Sequence, residues 1–423
     1  DSYSGQFKYP RAYNCRVHEN DSVATPEDIM KCFEEKDVPA LATLAREYAV
    51  CDHWYSSMPG PTWPNRFFAH AASSAGLDDS PTTAEMLDDY VVGQSFDNGT
   101  VFDSLNQMQI PWEIFCGDFL PQSFALRGMT SQWLGNHRFT MFDKFEKKIS
   151  DRDYAPQYIF IEPEWGRLWG RHAFSGGTSQ HPVDGVAGGE KLIRDVYRAI
   201  RNSPHWEKSL LVITYDEHGG FYDHHLPPSA TPPGDNPQPM TNVKHHFDFS
   251  VLGVRVPAVV VSPWITRNRV DHTPYDHSSI VATLRELFKF PPLTNRDGAA
   301  NHLLGLLELD RPRDQDAPLD IPYAEPAART LTEIVLDLAQ LPIQSLTRGI
   351  LNVAHLKRQA ILAHRIDGAH FLSQLEKFDL KRPEEIGPMS SGGLQNEFKN
   401  IARQFRSVEN EAQAREYIQH VIG

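Results

Sequence analysis

Ser209 to His224 reads SLLVITYDEHGGFYDH, and the fold class turns on its first half. Leu210 to Tyr215 form six consecutive apolar or β-branched positions, the pattern of a strand buried on both faces. The run stops at Asp216, Glu217 and His218, followed by the breakers Gly219 and Gly220. Two carboxylates at the end of a buried strand are costly unless something neutralises them. In parallel α/β sheets the carboxyl ends of strands are where ligands sit. A cation would neutralise both acids, and the glycines would let the backbone turn tightly beside it. The alternative for these residues is a strand followed by a solvated acidic turn.

Working outward, short apolar runs recur at Trp112 to Cys116, Tyr158 to Ile161 and Val256 to Ser262. Helical periodicity lies between them. Pro39 opens one helix with Leu41, Leu44, Ala45 and Tyr48 on one face. A second carries Leu192, Ile193, Val196 and Ile200 after Gly189. A third carries Ile280, Val281, Leu284, Leu287 and Phe288 after the capping pair Ser278-Ser279. Strands alternating with helices predict a mostly parallel central sheet covered on both faces, a three-layer α/β/α sandwich. Leu226 to Met240 holds six prolines and is expected to be a long surface loop. Residues 1–326 are expected to form the main domain, and 327–423, where strand signals vanish, a helical appendage.

The loop Met58-Pro59-Gly60-Pro61-Thr62-Trp63-Pro64-Asn65-Arg66 is stiffened by three prolines and a glycine. A helix is expected to begin at Phe67. The Thr62 hydroxyl, just ahead of it, would stand among free backbone N–H groups, a ready site for an anion. His181-Pro182 falls in a Gly/Ser-rich loop, and His272 and His277 follow the Val256 run. Thr, His and Asp on several loops after strands suit one site assembled from many strand ends. His53, His205, His245 and His246 receive no role.

Composition narrows the function classes. With 41 basic and 55 acidic residues the net charge is −14, which argues against a nucleic-acid partner and against electrostatic docking on anionic membranes. No apolar run approaches the roughly 20 residues that span a bilayer. Asp1 to Lys8 is polar and reads as no signal peptide, yet a removed signal would look the same, so export stays open and a secreted or periplasmic location is slightly favoured. Cys15, Cys32, Cys51 and Cys116 show no metal-finger spacing and do not decide the compartment. No GxSxG elbow of a serine hydrolase occurs.

These residues, in order, resemble a known family. Gly60-Pro61-Thr62-Trp63-Pro64-Asn65-Arg66, His181-Pro182 with Gly189-Glu190, and Thr214 to His224 look like motifs of the phosphoesterases that include bacterial and plant non-specific phospholipases C and a group of acid phosphatases. Leu252 to Pro257, Ser262-Pro263-Trp264, Tyr275 to Ile280 and Leu293 to Asp297 continue the match, which covers roughly Asp37 to Pro322. The resemblance implies a fold like that of alkaline phosphatases and sulfatases, and a metal-dependent phosphoesterase, a phospholipase C acting on phospholipids. The alternatives are an acid phosphatase acting on monoesters and a non-catalytic scaffold. It implies Thr62 as nucleophile and metal ligand, and Asp216 and Glu217 as carboxylates on a divalent cation (calcium, magnesium, manganese or zinc). His181 would stand at the phosphate or leaving group, with Asn65, His218 and His277 on the substrate side.

One departure matters. The family begins with a strand ending in Glu-Asn-Arg-Ser-Phe-Asp-His, whose Glu and Asn complete the metal shell, and this sequence lacks it. His18-Glu19-Asn20 follows no apolar strand. The expectation is a piece of a longer protein, or else an enzyme that has lost part of its metal site. In the first case an unfilled strand position should lie beside the strand that carries Asp216.

Overall fold

A computed structural model describes residues 28–81, 93–118, 121–129, 132, 138–166, 176–182, 184–236 and 243–326. The appendage expected at 327–423, the segment His18 to Asn20 and Cys15 lie outside the described residues. No helix among the described residues is long and apolar enough to cross a membrane.

Among the described residues, seven strands form two sheets. The first has the order β5-β6-β1-β7, built from β1 (Ala49–Cys51), β5 (Leu211–Thr214), β6 (Ala258–Val261) and β7 (Arg269–Asp271). The second has the order β3-β2-β4, all parallel, from β2 (Trp112–Cys116), β3 (Phe139–Met141) and β4 (Tyr158–Glu162). The apolar runs at 112, 158, 210 and 256 are therefore strands: the first keeps its bounds, the second gains Glu162, the third loses one residue at each end, and the fourth loses two at its start and one at its end. The three-residue strands β1, β3 and β7 gave no sequence signal, being shorter than one period of alternation can reveal.

Alternation along β2 produces the layers. Trp112, Ile114 and Cys116 enter one apolar core with Phe67, Phe102, Leu105, Val281 and Leu284. Phe115, pointing the other way, joins a second core with Leu44, Phe145, Ile149, Tyr197 and Ile200. One helical layer holds α1 (Pro39–Glu47), α4 (Phe145–Ile149) and α5 (Ala187–Arg201); the other holds α2 (Thr62–Ala71), α3 (Val101–Gln107), α6 (Ser278–Phe288) and α7 (Asn295–Ala299). The α/β sandwich expected from sequence is the observed architecture. Leu44 is fully buried, so truncating it to Ala would cost about 2–5 kcal/mol.

Three details differ from the sequence reading. First, β5 is half-buried along its whole length, not buried on both faces. Among the described residues it sits at the edge of its sheet and pairs only with β6, antiparallel, Leu211 opposite Val261 and Thr214 opposite Ala258. An apolar run reports burial potential but not which neighbours arrive from distant sequence. The outer edge of β5 has no partner strand among the described residues, and β4 likewise ends the second sheet. Second, α2 starts at Thr62, five residues earlier than expected. Pro64 lies in the first turn, where no N–H is needed, and so breaks nothing. Third, α6 is entered from His277, and Ser278 and Ser279 lie inside the helix without capping it through their side chains.

Strand direction places the site. Because β6 runs antiparallel to both β5 and β1, while β7 is parallel to β1, the strands β1, β5 and β7 point the same way. The chain leaves all three at one edge of the sheet, delivering Asp52, Asp216 and His272 there.

Candidate functional site

The loop from Ser56 to Pro61 reaches Thr62 at the first position of α2, half-buried. Asn65, with no exposure, holds this loop. Its Oδ1 accepts from the Met58 N–H at 3.1 Å, and its Nδ2 donates to the carbonyls of Gly60 at 2.9 Å, Met58 at 3.2 Å and Pro61 at 3.2 Å. The amide is thus committed to the backbone on either side of the turn. This differs from the substrate contact expected of it: the side chain shapes the loop that presents Thr62.

A second clamp closes on the loop from behind. Arg296, 3% exposed, donates from Nη1 to the Ser57 carbonyl at 3.1 Å and to Asp276 Oδ2 at 3.2 Å, and from Nη2 to the Phe249 carbonyl at 2.6 Å; its Nε donates to the Thr231 carbonyl. Ser57 Oγ donates to the same Asp276 Oδ2 at 2.9 Å. Gly253 has no room for a Cβ, which would stand 2.0 Å from Ser56 Oγ and 2.4 Å from the Met58 carbonyl oxygen. Both Asp276 and Arg296 lie in stretches that carried the family resemblance, but a buried arginine has no local sequence signature, and the clamp was not foreseen.

Across the edge stands the turn after β5. Gly219 and Gly220 adopt positive φ of 66° and 83°, conformations that a side chain would strain. Glu217 Oε2 accepts from the Gly219 N–H at 2.6 Å. His218 Nδ1 donates to the Phe221 carbonyl at 2.6 Å, and the Phe221 N–H returns to the His218 carbonyl at 3.1 Å, which closes the turn. Asp216 Oδ2 is buried and accepts no hydrogen bond. Glu217 is pushed up to about 7 by burial and by the neighbouring Asp216 charge, with the Gly219 N–H opposing. Like-charged carboxylates that repel in a part-buried turn are the electrostatic signature of a place for a cation.

His277 joins the two halves. Fully buried within its surroundings, it is held in one neutral tautomer: Nδ1 accepts from Trp54 Nε1 at 3.3 Å, and Nε2 donates to the Asp216 carbonyl at 2.6 Å. Burial pushes its pKa down. Its backbone N–H donates to Ser57 Oγ at 3.2 Å. His277 therefore fixes the distance between the Thr62 loop and Asp216, with both ring nitrogens engaged, rather than offering a nitrogen to a ligand.

His181 belongs to the same assembly. The pair His181-Pro182 packs against the turn so closely that a Cβ on Gly219 would lie 2.6 Å from Pro182 Cγ. Burial lowers the His181 pKa while the charges of Asp216 and Asp184 raise it, so the imidazole feels Asp216 directly. Asp184 ties down the loop by accepting from Gly176 N–H at 2.6 Å and Gly177 N–H at 3.1 Å. Glu190, matched in the family stretch, does other work: its carboxylate caps α1 through the N–H groups of Ala40 at 2.5 Å and Leu41 at 3.2 Å.

Of the residues named from sequence, His277 ties the Ser57 turn that leads to Thr62 to the Asp216 backbone, His181 lies within electrostatic reach of Asp216, Glu217 and His218 continue the same turn, and Asn65 shapes the loop before Thr62. Asp216 and Glu217 suit a hard or borderline divalent cation, since both offer oxygen and Asp216 Oδ2 has no other partner.

Comparison with known proteins places the sequence among phosphoesterases. Residues 13–291 match the model of the phosphoesterase family. Non-specific phospholipase C6 of Arabidopsis thaliana is 37% identical over 375 residues, covering 85% of this chain and 65% of the relative. Non-specific phospholipase C3 of the same plant is 34% identical, covering 72% and 57%. Phospholipase C B of Mycobacterium tuberculosis is 26% identical over 288 residues, covering 62% and 52%. The chain spans less than two thirds of the length of these relatives. Among solved structures, a phosphonate monoester hydrolase of Agrobacterium radiobacter superposes with a TM-score of 0.37 at 14% identity, covering 76% of this chain and 91% of that one.

Proposed function

This chain belongs to the phosphoesterase family, and from that premise we propose that it hydrolyses phospholipid phosphodiesters as a metal-dependent phospholipase C. The observation that carries the reading is Asp216. Its Oδ2 is buried without a hydrogen bond, beside Glu217, at the sheet edge that also receives the Thr62 loop. A buried carboxylate oxygen with no donor is expensive unless a cation takes that place.

Asp216, Glu217 and Thr62 would hold a divalent cation, which when bound supplies positive charge to phosphoryl oxygens and makes a neighbouring hydroxyl more acidic. The chain's own groups do the rest. The start of α2 offers backbone N–H groups to the phosphate. The Thr62 hydroxyl gives up its proton to solvent as Oγ1 attacks phosphorus in line; a Thr62–phosphorus bond forms as the bond to the alcohol oxygen breaks. His181 gives the departing alkoxide a proton and then takes one from the water whose oxygen attacks phosphorus; the Thr62 oxygen–phosphorus bond breaks and the Thr62 oxygen regains a proton from solvent. For a phospholipid the alcohol released is diacylglycerol.

The test is hydrolysis of nitrophenyl-phosphocholine. Thr62→Ala should lower turnover by at least about a thousandfold with unchanged circular dichroism. Near-wild-type turnover by the variant would remove Thr62 from the mechanism. Nitrophenyl phosphate assayed in parallel separates a monoester phosphatase from a diesterase, and a wild-type chain inert to both esters that takes up no metal would favour the scaffold.

A further inference from the structure

We propose that Asp52, His53 and His272 form a second metal site, for a divalent transition ion of the zinc class, apart from the carboxylates that follow β5. The three residues are brought together by the ladder between β1 and β7. Cys51 stands opposite Asp271, and the Asp52 N–H donates to the Asp271 carbonyl at 3.2 Å, which carries the pairing one residue further. Asp52-His53 and His272 therefore leave the sheet side by side.

The donor atoms already converge. His53 Nδ1 lies 2.7 Å from Asp52 Oδ1, and His272 Nδ1 lies 3.0 and 2.8 Å from the two Asp52 oxygens. One ligand atom from each residue lies within 4.8 Å of those of the other two. Around an ion with ligands at about 2.0–2.2 Å, donors stand roughly 3.3 Å apart, so the cluster needs to open by a few tenths of an ångström. The side chain of His272 is 71% exposed and can make that movement. In the metal-free arrangement the imidazole Nδ1–H groups occupy the carboxylate; with the protons on Nε2, the same Nδ1 atoms become donors to an ion.

The chemistry selects the ion class. Two imidazoles and one carboxylate suit zinc and its transition-metal neighbours rather than calcium or magnesium, which take oxygen. Three protein ligands on a partly exposed surface leave a position for water. The nearby cation, Arg255, does not compete: its charge is met by Asp223 at 2.7 and 2.8 Å, and it touches Asp52 only at the carbonyl oxygen, 3.2 Å away. The Cys51 thiol is no competitor, since burial with the charges of Asp271 and Asp52 pushes it up to about 12. The ring of His225, 5.1 Å from that of His53 and hydrogen-bonded through Nδ1 with the Tyr55 hydroxyl at 3.0 Å, borders the site.

Equilibrium dialysis of the chelator-stripped full chain against zinc, and cobalt absorption in the visible range, test this. In an Asp216→Asn, Glu217→Gln background, which disables the first pair of carboxylates, the chain should still bind one zinc per molecule and show the bands of four-coordinate cobalt. Adding His272→Ala should weaken binding at least tenfold and abolish the bands, and Asp52→Asn should do the same without removing any packing. The same loss should appear as one fewer zinc when His272→Ala is made in the otherwise wild-type chain. No zinc uptake in the background chain, or equal uptake with and without His272 and Asp52, would overturn the site.

Discussion

The two sides of the candidate site are built on opposite terms. On the Thr62 side, the polar groups that shape the loop are paired within the protein: the Asn65 amide is taken up by the loop backbone, and Arg296 bonds Asp276 and the carbonyls of Ser57, Thr231 and Phe249. On the β5 side, Asp216 Oδ2 has no hydrogen bond, and Glu217 is pushed up to about 7 by burial and its neighbour's charge. The Thr62 loop is complete as folded. The carboxylate turn is organised by its backbone, through Gly219 and the His218–Phe221 pair, but electrostatically it asks for a cation. The difference teaches which side a metal should stabilise and which side should be indifferent to it.

The largest effect expected from that contrast is on the carboxylates. Asp216→Asn and Glu217→Gln should each reduce bound metal and lower turnover together, by about a thousandfold or roughly 4 kcal/mol. The same variants should leave the melting temperature of the metal-free chain unchanged or raise it, because each removes a buried charge that nothing neutralises. Elemental analysis beside calorimetry reads both. Full metal content in both variants would make the pair structural and dissolve the contrast.

Next comes the clamp. Arg296→Gln should destabilise the chain by about 3 kcal/mol whether or not metal is present, since it strands Asp276 and several carbonyls in the interior. Its denaturation midpoint should fall equally in chelator and in divalent salt. A loss seen only with metal bound would mean that the Thr62 loop is not complete by itself.

A smaller effect sharpens the comparison away from the site. Asp118 is pushed up to about 7, chiefly by burial and further by Glu164 and Glu162, with the Trp165 N–H opposing at 2.6 Å. Its folded pKa lies above the unfolded one. Its contribution is therefore fully present below about pH 4 and is lost as pH rises through about 7. Asp118→Asn should gain stability over wild type across that window, and the gain should not respond to metal. A metal-sensitive gain would show that unneutralised carboxylates elsewhere behave like the β5 turn.

Sequence made some of this legible and hid the rest for physical reasons. Apolar runs at 112, 158, 210 and 256 and the faces of α1, α5 and α6 could be read because burial repeats with the period of the backbone. The acids after β5 could be read because charge at the end of such a run is anomalous. That β5 is an edge strand could not, since its neighbour Ala258–Val261 is chosen from more than forty residues away. Asn65 and His277 stand in the family stretches, yet only coordinates show that their polar atoms are committed to the Met58 loop and to Trp54 and Asp216. His53 and His272, 219 positions apart and unremarkable singly, become a cluster only through the β1–β7 ladder.

The central claim is that Thr62, presented by a loop complete in itself, takes the phosphoryl group. Intact-protein and peptide mass spectrometry after acid quench, with the chain turning over nitrophenyl-phosphocholine in divalent salt, tests it most directly. Phosphocholine bound covalently on the peptide carrying Thr62, and absent from Thr62→Ala, is the predicted result. Continued release of nitrophenol with no adduct on that peptide, undiminished in Thr62→Ala, would contradict it.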